Sequence, residues 1–215
     1  MGTLTNELTT MTAGEPYEKR QEEFDPIRDL LVAQSERPAH LAEINLRALT
    51  PFQRSLLVLD GTVTKFIEAY TMEPVDIVKL SQETQQLSTD HVWLDAPKGT
   101  DVIARQVLLR GRYGRRLHAY AVSLIVPDRL REVERRGLEI NGEGLGRILL
   151  GGRMETYRDV LWYGMERLHE LPQAIAHLSG QEFISRAYRI IAKGKPIMLI
   201  NEKFPSDRDL LPSHH

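Results

Sequence analysis

Two charged side chains stand where strand alternation would put apolar ones. In Met198-Leu-Ile-Asn-Glu-Lys-Phe204, period-two alternation sets Met198, Ile200, Glu202 and Phe204 on one face. In Ile103-Ala-Arg-Gln-Val-Leu-Leu109 it sets Arg105 among Ile103, Val107 and Leu109. A buried carboxylate costs several kcal/mol unless it is paired, hydrogen-bonded or facing a ligand. A buried guanidinium cannot discharge itself by losing a proton, so it needs an anion, and its planar fork suits a carboxylate. Three readings stand. Each group can lie at a strand end with its head in water. The two can pair with each other. Or they bracket an anionic, hydroxylated small molecule, one binding a carboxylate and the other accepting a hydroxyl hydrogen bond or moving a proton.

A third feature is Gly142-Glu-Gly-Leu-Gly146, whose alternating glycines can expose backbone N–H groups as an anion nest or serve as a plain connector. The G-x-G-x-G spacing is not a dinucleotide fingerprint, and Gly194-Lys195-Pro196 is not a phosphate loop. The histidines at 40, 91, 118, 169, 177, 214 and 215 form no H-x-x-x-H pair, and no carboxylate cluster has ligand spacing. There is no G-x-S-x-G and no cysteine, so neither a hydrolase elbow nor thiolate chemistry is available. The basic cluster Arg110, Arg112, Arg115 and Arg116 reads as a solvated hairpin tip without an aromatic platform for nucleic acid.

These residues must be positioned by a chain of 215 residues, 41% apolar, which is enough for one domain with a real core. A net charge of −2, from 28 basic and 30 acidic residues, implies neither a nucleic-acid partner nor an anionic membrane surface. The longest apolar run, Ala119 to Val126, is too short to span a bilayer. The absence of cysteine and of a signal-peptide pattern in residues 1–15 fits a cytoplasmic protein.

The pattern predicts disorder over residues 1–15 and a helical extension over 16–50, with a helix from about Glu15 to Ser35. A folded domain follows over 51–206, then a tail over 207–215. Thr50-Pro51-Phe52-Gln53 carries capping-box residues that open a helix ending near Asp60. Strands are expected at Thr62–Tyr70, Val75–Leu87, Val102–Arg112 and Arg116–Val126. A short charged helix from Pro127, a helical segment at Arg147–Leu150, a polar piece over Met154–Trp162 and helical spacing over Leu168–Leu178 come next. Two apolar arms around Lys193-Gly194-Lys195 close the chain as a hairpin. Hairpins followed by helices predict an α+β fold, an antiparallel sheet of about six strands with helices on one side and a small-ligand pocket.

Four blocks in order resemble the chorismate pyruvate-lyases (4-hydroxybenzoate synthases), in their divergent bacterial and archaeal branch. They are Leu59-Asp-Gly-Thr-Val-Thr-Lys65, Arg105-Gln-Val-Leu-Leu109, Gly144-Leu-Gly-Arg147 and Lys193-Gly-Lys-Pro-Ile-Met-Leu-Ile-Asn-Glu202. The resemblance covers about Leu57 to Phe204. It implies removal of pyruvate from chorismate to leave 4-hydroxybenzoate, with no metal or organic cofactor, as in aromatic or quinone biosynthesis. It also implies that Arg105 holds the ring carboxylate with help from the Leu145 N–H beside Gly144. Glu202 would sit at the ring hydroxyl, and Thr62 to Thr64 would line the pocket. Ser123 stands where the ubiquinone-pathway members carry an arginine, so the cation for the pyruvyl carboxylate is expected from Lys79 or Arg189. The competing reading is a non-catalytic small-molecule-binding module like the effector domains of winged-helix repressors. Residues 1–50 are too short and too acidic for the helix-turn-helix that a repressor would carry.

Overall fold

The computed structural model describes residues 27–139, 144–151 and 153–206. The disorder expected of residues 1–15, most of the first predicted helix, the loop residues 141–143 and the tail lie outside the described residues.

Six strands make one sheet: β1 (Val75–Gln86), β2 (Asp101–Gly111), β3 (Leu117–Ile125), β4 (Tyr157–Arg167), β5 (Glu182–Ala192) and β6 (Lys195–Pro205). Their order is β1-β2-β3-β6-β5-β4, and every neighbouring pair is antiparallel. The fold is the expected α+β arrangement. The closing hairpin supplies two inner strands of the sheet. Its turn residues Lys193 and Gly194 have φ of 51° and 74°. Positive φ at both positions marks a turn whose twist matches the flanking strands, and glycine takes such a φ without steric cost. The turn fixes the register, which sets Glu202 opposite Arg186 and Ile200 opposite Tyr188.

Among the described residues four helices cover one face: α1 (Pro51–Val58), α2 (Val63–Thr71), α3 (Glu132–Glu139) and α4 (Leu145–Gly151). The start of α1 is the expected capping box, in which the Gln53 N–H donates to Thr50 Oγ1 and the Thr50 N–H donates to the Gln53 side chain. Phe52, Leu56, Leu57, Val63 and Ile67 pack on Ala119, Ile184 and Phe204. Leu138, Ile148 and Leu149 pack on Ile125, Ile190, Met198 and Ile200. Ala119 and Ile125 are six residues apart on β3 and so share a face. The opposite face is closed by smaller pieces, with Ile175 over Leu108 and Tyr120, and Leu41 beside Leu161 and Ala187. Among the described residues no helix is long and apolar enough to cross a membrane.

Several elements differ from expectation. Residues 63–71 form α2 instead of a strand. Val63, Phe66, Ile67 and Tyr70 recur at helical spacing, and burial of Val63 and Ile67 outweighs the β propensity of the threonines and valine. The polar piece at 154–162 leads into β4. Its charges hide the strand, yet Val160, Leu161, Trp162 and Tyr163 are all buried, and a register shift between Val160 and Trp162 accommodates the consecutive apolar residues. Residues 28–36 form two 3-10 turns instead of a helix. This segment runs along the outer edge of β4: the Val32 and Ala33 N–H groups donate to Val160 and Leu161 O, and Ala42 and Met165 exchange hydrogen bonds at 2.7 and 2.8 Å. A strand edge that would otherwise invite pairing with another chain is thereby covered. The segment at 168–178 contains a 3-10 stretch, Gln173–Leu178. The charged helix from Pro127 is split into a 3-10 turn and α3.

His118 on β3 carries a stability prediction. It is buried, and neither ring nitrogen has a hydrogen-bond partner among the described residues. Burial, reinforced by Arg116, pushes its pKa below the ordinary 6.5. The unfolded chain therefore takes up a proton that the folded chain refuses. The stability this gives is fully present above about pH 6.5 and declines as pH falls below it. The melting temperature of the wild type should fall more steeply from pH 7 to 5.5 than that of His118→Leu. Parallel slopes would mean that the folded state protonates this ring as readily as the unfolded one.

Candidate functional site

The cavity between sheet and helices follows from side-chain size. Ala121 and Ser123 on β3 are small, while the residues paired with them, Val107 and Arg105 on β2 and Glu202 and Ile200 on β6, are large, so this face of the sheet has a gap at its centre. All six strands contribute to its walls: Ile77, Arg105, Val107, Leu109, Ala121, Ser123, Arg158, Tyr188, Ile190, Ile200 and Glu202 line it. The roof is Gly61 to Thr64, where α2 begins, and Gly144 to Gly146, where α4 begins. Thr62 caps α2 without a side-chain hydrogen bond, which leaves the first-turn N–H groups beside the cavity uncapped by that side chain. The space is about 70 Å³, room for several waters. A second cavity of about 220 Å³ shares Thr62, Thr64, Ile77 and Gly144 with it.

Gly146 of the roof is required by close approach. A Cβ at Gly146 would come within 2.8 Å of Thr62 Cγ2 and 2.9 Å of its Oγ1. α4 thus rests directly on the start of α2, a contact that any larger residue would push apart.

Glu202 is 5% exposed and Arg105 2% exposed, so both are buried as the alternation indicated. They do not form the simple pair. Glu202 is held by residues of β5: Arg186 Nη2 donates to its Oε2 at 2.9 Å and the Tyr188 hydroxyl to its Oε1 at 3.0 Å. Arg186 Nη1 also donates to the carbonyls of Leu56 and Leu59 at 2.6 and 3.0 Å. These are carbonyls at and just past the end of α1, where a helix has acceptors to spare and a partial negative charge. Arg186 thus ties α1 to the carboxylate. Burial, with Glu202 next in effect, raises the Tyr188 pKa far above its ordinary value, so its hydroxyl remains a donor. Its ring lies 4.8 Å from the Arg186 guanidinium carbon, within cation–π range. A carboxylate has about four lone-pair directions, and two accepted bonds leave Glu202 able to take a hydrogen bond from a ligand.

Arg105 lies on β2 opposite Ser123, whose hydroxyl donates to Arg105 O at 3.4 Å. Burial lowers its pKa, yet a guanidinium remains cationic at neutral pH. Along the sheet Arg105 falls in one row with Ser123, Ile200 and Tyr188, and Glu202 in the next row with Ala121 and Arg186. The two charges therefore reach one cavity from the same face of the sheet, in adjacent rows on strands two apart.

Of the residues singled out from sequence, Arg105, Glu202, Gly144, Leu145, Thr62, Thr64 and Ser123 line this cavity. Lys79 does not: it is half-buried on β1 opposite Val107, beyond the lining residues. Arg189 points to the other face, where its Nε and Nη2 bond Asp159 at 2.9 Å each. Sequence reading missed Arg158, Arg186 and Tyr188. The last two were legible in principle, because Ile184, Arg186, Tyr188 and Ile190 repeat the charged-among-apolar pattern of the other two sites. Nothing in the local pattern marks Arg158, because the charges at the start of β4 mask its alternation.

Comparison with known proteins agrees with this architecture. A chorismate pyruvate-lyase of Mycobacterium tuberculosis (strain H37Rv) is 27% identical over 173 residues, covering 76% of this chain and 84% of the relative. The chorismate pyruvate-lyase of Mycobacterium leprae is 27% identical over 170 residues, covering 76% and 79%. Among solved structures, the effector domain of PhnF from Mycobacterium smegmatis superposes with a TM-score of 0.52 at 13% identity, covering 69% of this chain and 90% of that one. That likeness is one of fold. The family described as Rv2949c-like chorismate pyruvate-lyase matches residues 57–210, which contain every cavity-lining residue. With that match over most of its length, the chain belongs to the Rv2949c-like chorismate pyruvate-lyase family.

Proposed function

We propose that the protein converts chorismate to 4-hydroxybenzoate and pyruvate in the cavity beneath α2 and α4. The observation that carries this reading is the convergence of buried Arg105 and buried Glu202, from separate strands, on one cavity. Arg105 binds the ring carboxylate, aided by the N–H of Leu145. Glu202 accepts a hydrogen bond from the ring hydroxyl, its position fixed by Arg186 and Tyr188. Ser123, Thr62 and Thr64 complete the wall around the ring.

The chemistry asks little more of the protein. The C–O bond to the enolpyruvyl group breaks, the neighbouring hydroxyl-bearing ring carbon loses its hydrogen as a proton, and the ring becomes aromatic. The departing enolpyruvate ends as pyruvate by taking a proton on carbon. Aromatisation supplies the driving force, so the site has to hold one conformer and stabilise charge on the leaving oxygen.

Purified protein given chorismate should release pyruvate, followed by coupling to lactate dehydrogenase, with equimolar 4-hydroxybenzoate. The fold is also that of the PhnF effector domain, and fold alone does not set function. Protein that binds chorismate or 4-hydroxybenzoate tightly but releases no pyruvate would be a binding module, and the lyase reading would fall.

A further inference from the structure

The elimination splits a ligand with two carboxylates into two products with one each. Arg105 accounts for one of the two. The expected sources of a second cation, Lys79 and Arg189, lie outside the cavity. We propose that Arg158 forms the second carboxylate subsite, holding the enolpyruvyl arm, with Asp60 as its place-holder when no ligand is bound. This inference deepens the lyase reading and rests on it.

Arg158 sits near the start of β4, opposite Ile190 of β5, and lines the cavity. Its side chain is only 13% exposed. Its Nε is buried with no hydrogen-bond partner, and Arg158 donates no hydrogen bond among the described residues. Its nearest anion is Asp60, at 3.7 Å from Nη1, beyond the reach of a charge-assisted hydrogen bond. Asp60 is 75% exposed, so water competes for it and the attraction is weak. The other contact is the face of Tyr188, 6.0 Å from the guanidinium carbon, at the outer limit of a cation–π interaction. The neighbouring arginines of β5 behave differently. Arg186 donates to Glu202 and to backbone carbonyls, and Arg189 grips Asp159 through two nitrogens. Arg158 is thus a nearly buried cation with its donors unused, and it cannot relieve this by losing a proton. An anion in the cavity satisfies it.

Position selects the kind of anion. In the order β2-β3-β6-β5-β4, Arg158 is on the fourth strand from Arg105, so the two guanidiniums approach the space from opposite walls. Tyr188 and Ile200 lie between them on the floor. That arrangement fits a ligand with carboxylates at opposite ends and an unsaturated ring between. A planar fork favours a carboxylate held bidentately. The aromatic product has one carboxylate and needs Arg105 alone, so losing the arm also frees the Arg158 side of the site.

The test compares two ligands on the full chain. Arg158→Gln should raise the KM for chorismate roughly 10- to 100-fold, the scale of a lost hydrogen bond to a charged group. It should leave the Kd for 4-hydroxybenzoate, measured by titration calorimetry, within about twofold. Arg158→Lys should recover part of the loss, since the charge returns without the fork. Asp60→Asn should leave chorismate binding equal or tighter, because a competitor for Arg158 is removed. Equal losses for both ligands in Arg158→Gln, or an unchanged chorismate KM, would overturn the subsite. Wild-type protein that binds both ligands without releasing pyruvate refutes the lyase reading alone. The subsite is then read from the Kd values for chorismate and 4-hydroxybenzoate under the same substitutions. Wild-type protein that binds neither ligand overturns both.

Discussion

Replacing Arg186 with methionine should lower the melting temperature more than any other single change in the cavity, by about 6–20 °C. Arg186 is 1% exposed and bonds both Glu202 and the carbonyls that close α1. Methionine fills much of the same space but leaves a buried carboxylate with only the Tyr188 hydroxyl as a donor, and it strands the Leu56 and Leu59 carbonyls. Removing one partner of a buried ion pair costs about 3–5 kcal/mol. For a protein of this size each kcal/mol shifts the midpoint by about 2–4 °C, which gives the range above. The loss is large against total stabilities of about 5–15 kcal/mol. Thermal melts of Arg186→Met and of Arg186→Met/Glu202→Leu check it. The double variant should melt higher than the single one, because the stranded charge is gone. If the single variant melts within 3 °C of wild type, in a range where about 1 kcal/mol is lost, the pair is not what anchors α1 to the sheet.

The second large effect is on turnover. Glu202→Gln should reduce kcat about 100-fold or more per folded molecule, while destabilising the protein less than Arg186→Met. The asymmetry lies in the hydrogen-bond partners. Arg186 keeps the α1 carbonyls as acceptors when the carboxylate becomes an amide, and the amide oxygen still accepts from Tyr188 or Arg186. What is lost is the negative charge facing the ligand hydroxyl, and with it the field that favours charge separation as the C–O bond breaks. Loss of one such fixed electrostatic contact costs about 10²–10³ in rate. Steady-state rates taken at least 10 °C below each variant's melting midpoint separate chemistry from stability. A variant that melts early but turns over normally would make Glu202 a structural partner of Arg186 and nothing more.

The sequence by itself carried the local rules. Alternation in β2 and β6 exposed Arg105 and Glu202 as charges on apolar faces. The glycine after Lys193 marked the hairpin, and Thr50 to Gln53 marked the start of α1. Each rests on neighbours within a few residues, where periodicity, capping and turn geometry operate. The lining or binding positions named from sequence lay within reach of that logic and the family blocks, and all but Lys79 and Arg189 line the cavity. Residues 63–71 show where local rules stop. Their β-branched content favours a strand, but burying Val63 and Ile67 against β3 and β5 residues makes them a helix. β4 shows the same from the other side. Arg158 and Asp159 read as surface residues until Asp159 meets Arg189 on one face and Arg158 turns into the cavity on the other. Which charge pairs with which was also beyond the sequence. Arg186 and Glu202 are sixteen residues apart along a hairpin and become direct neighbours through its register. Only the packing of α1 onto β5 shows that the same guanidinium also closes a helix 130 residues earlier. A charge on an apolar face announces that it must be satisfied, but its partner is chosen by strand order and helix placement, which are long-range facts.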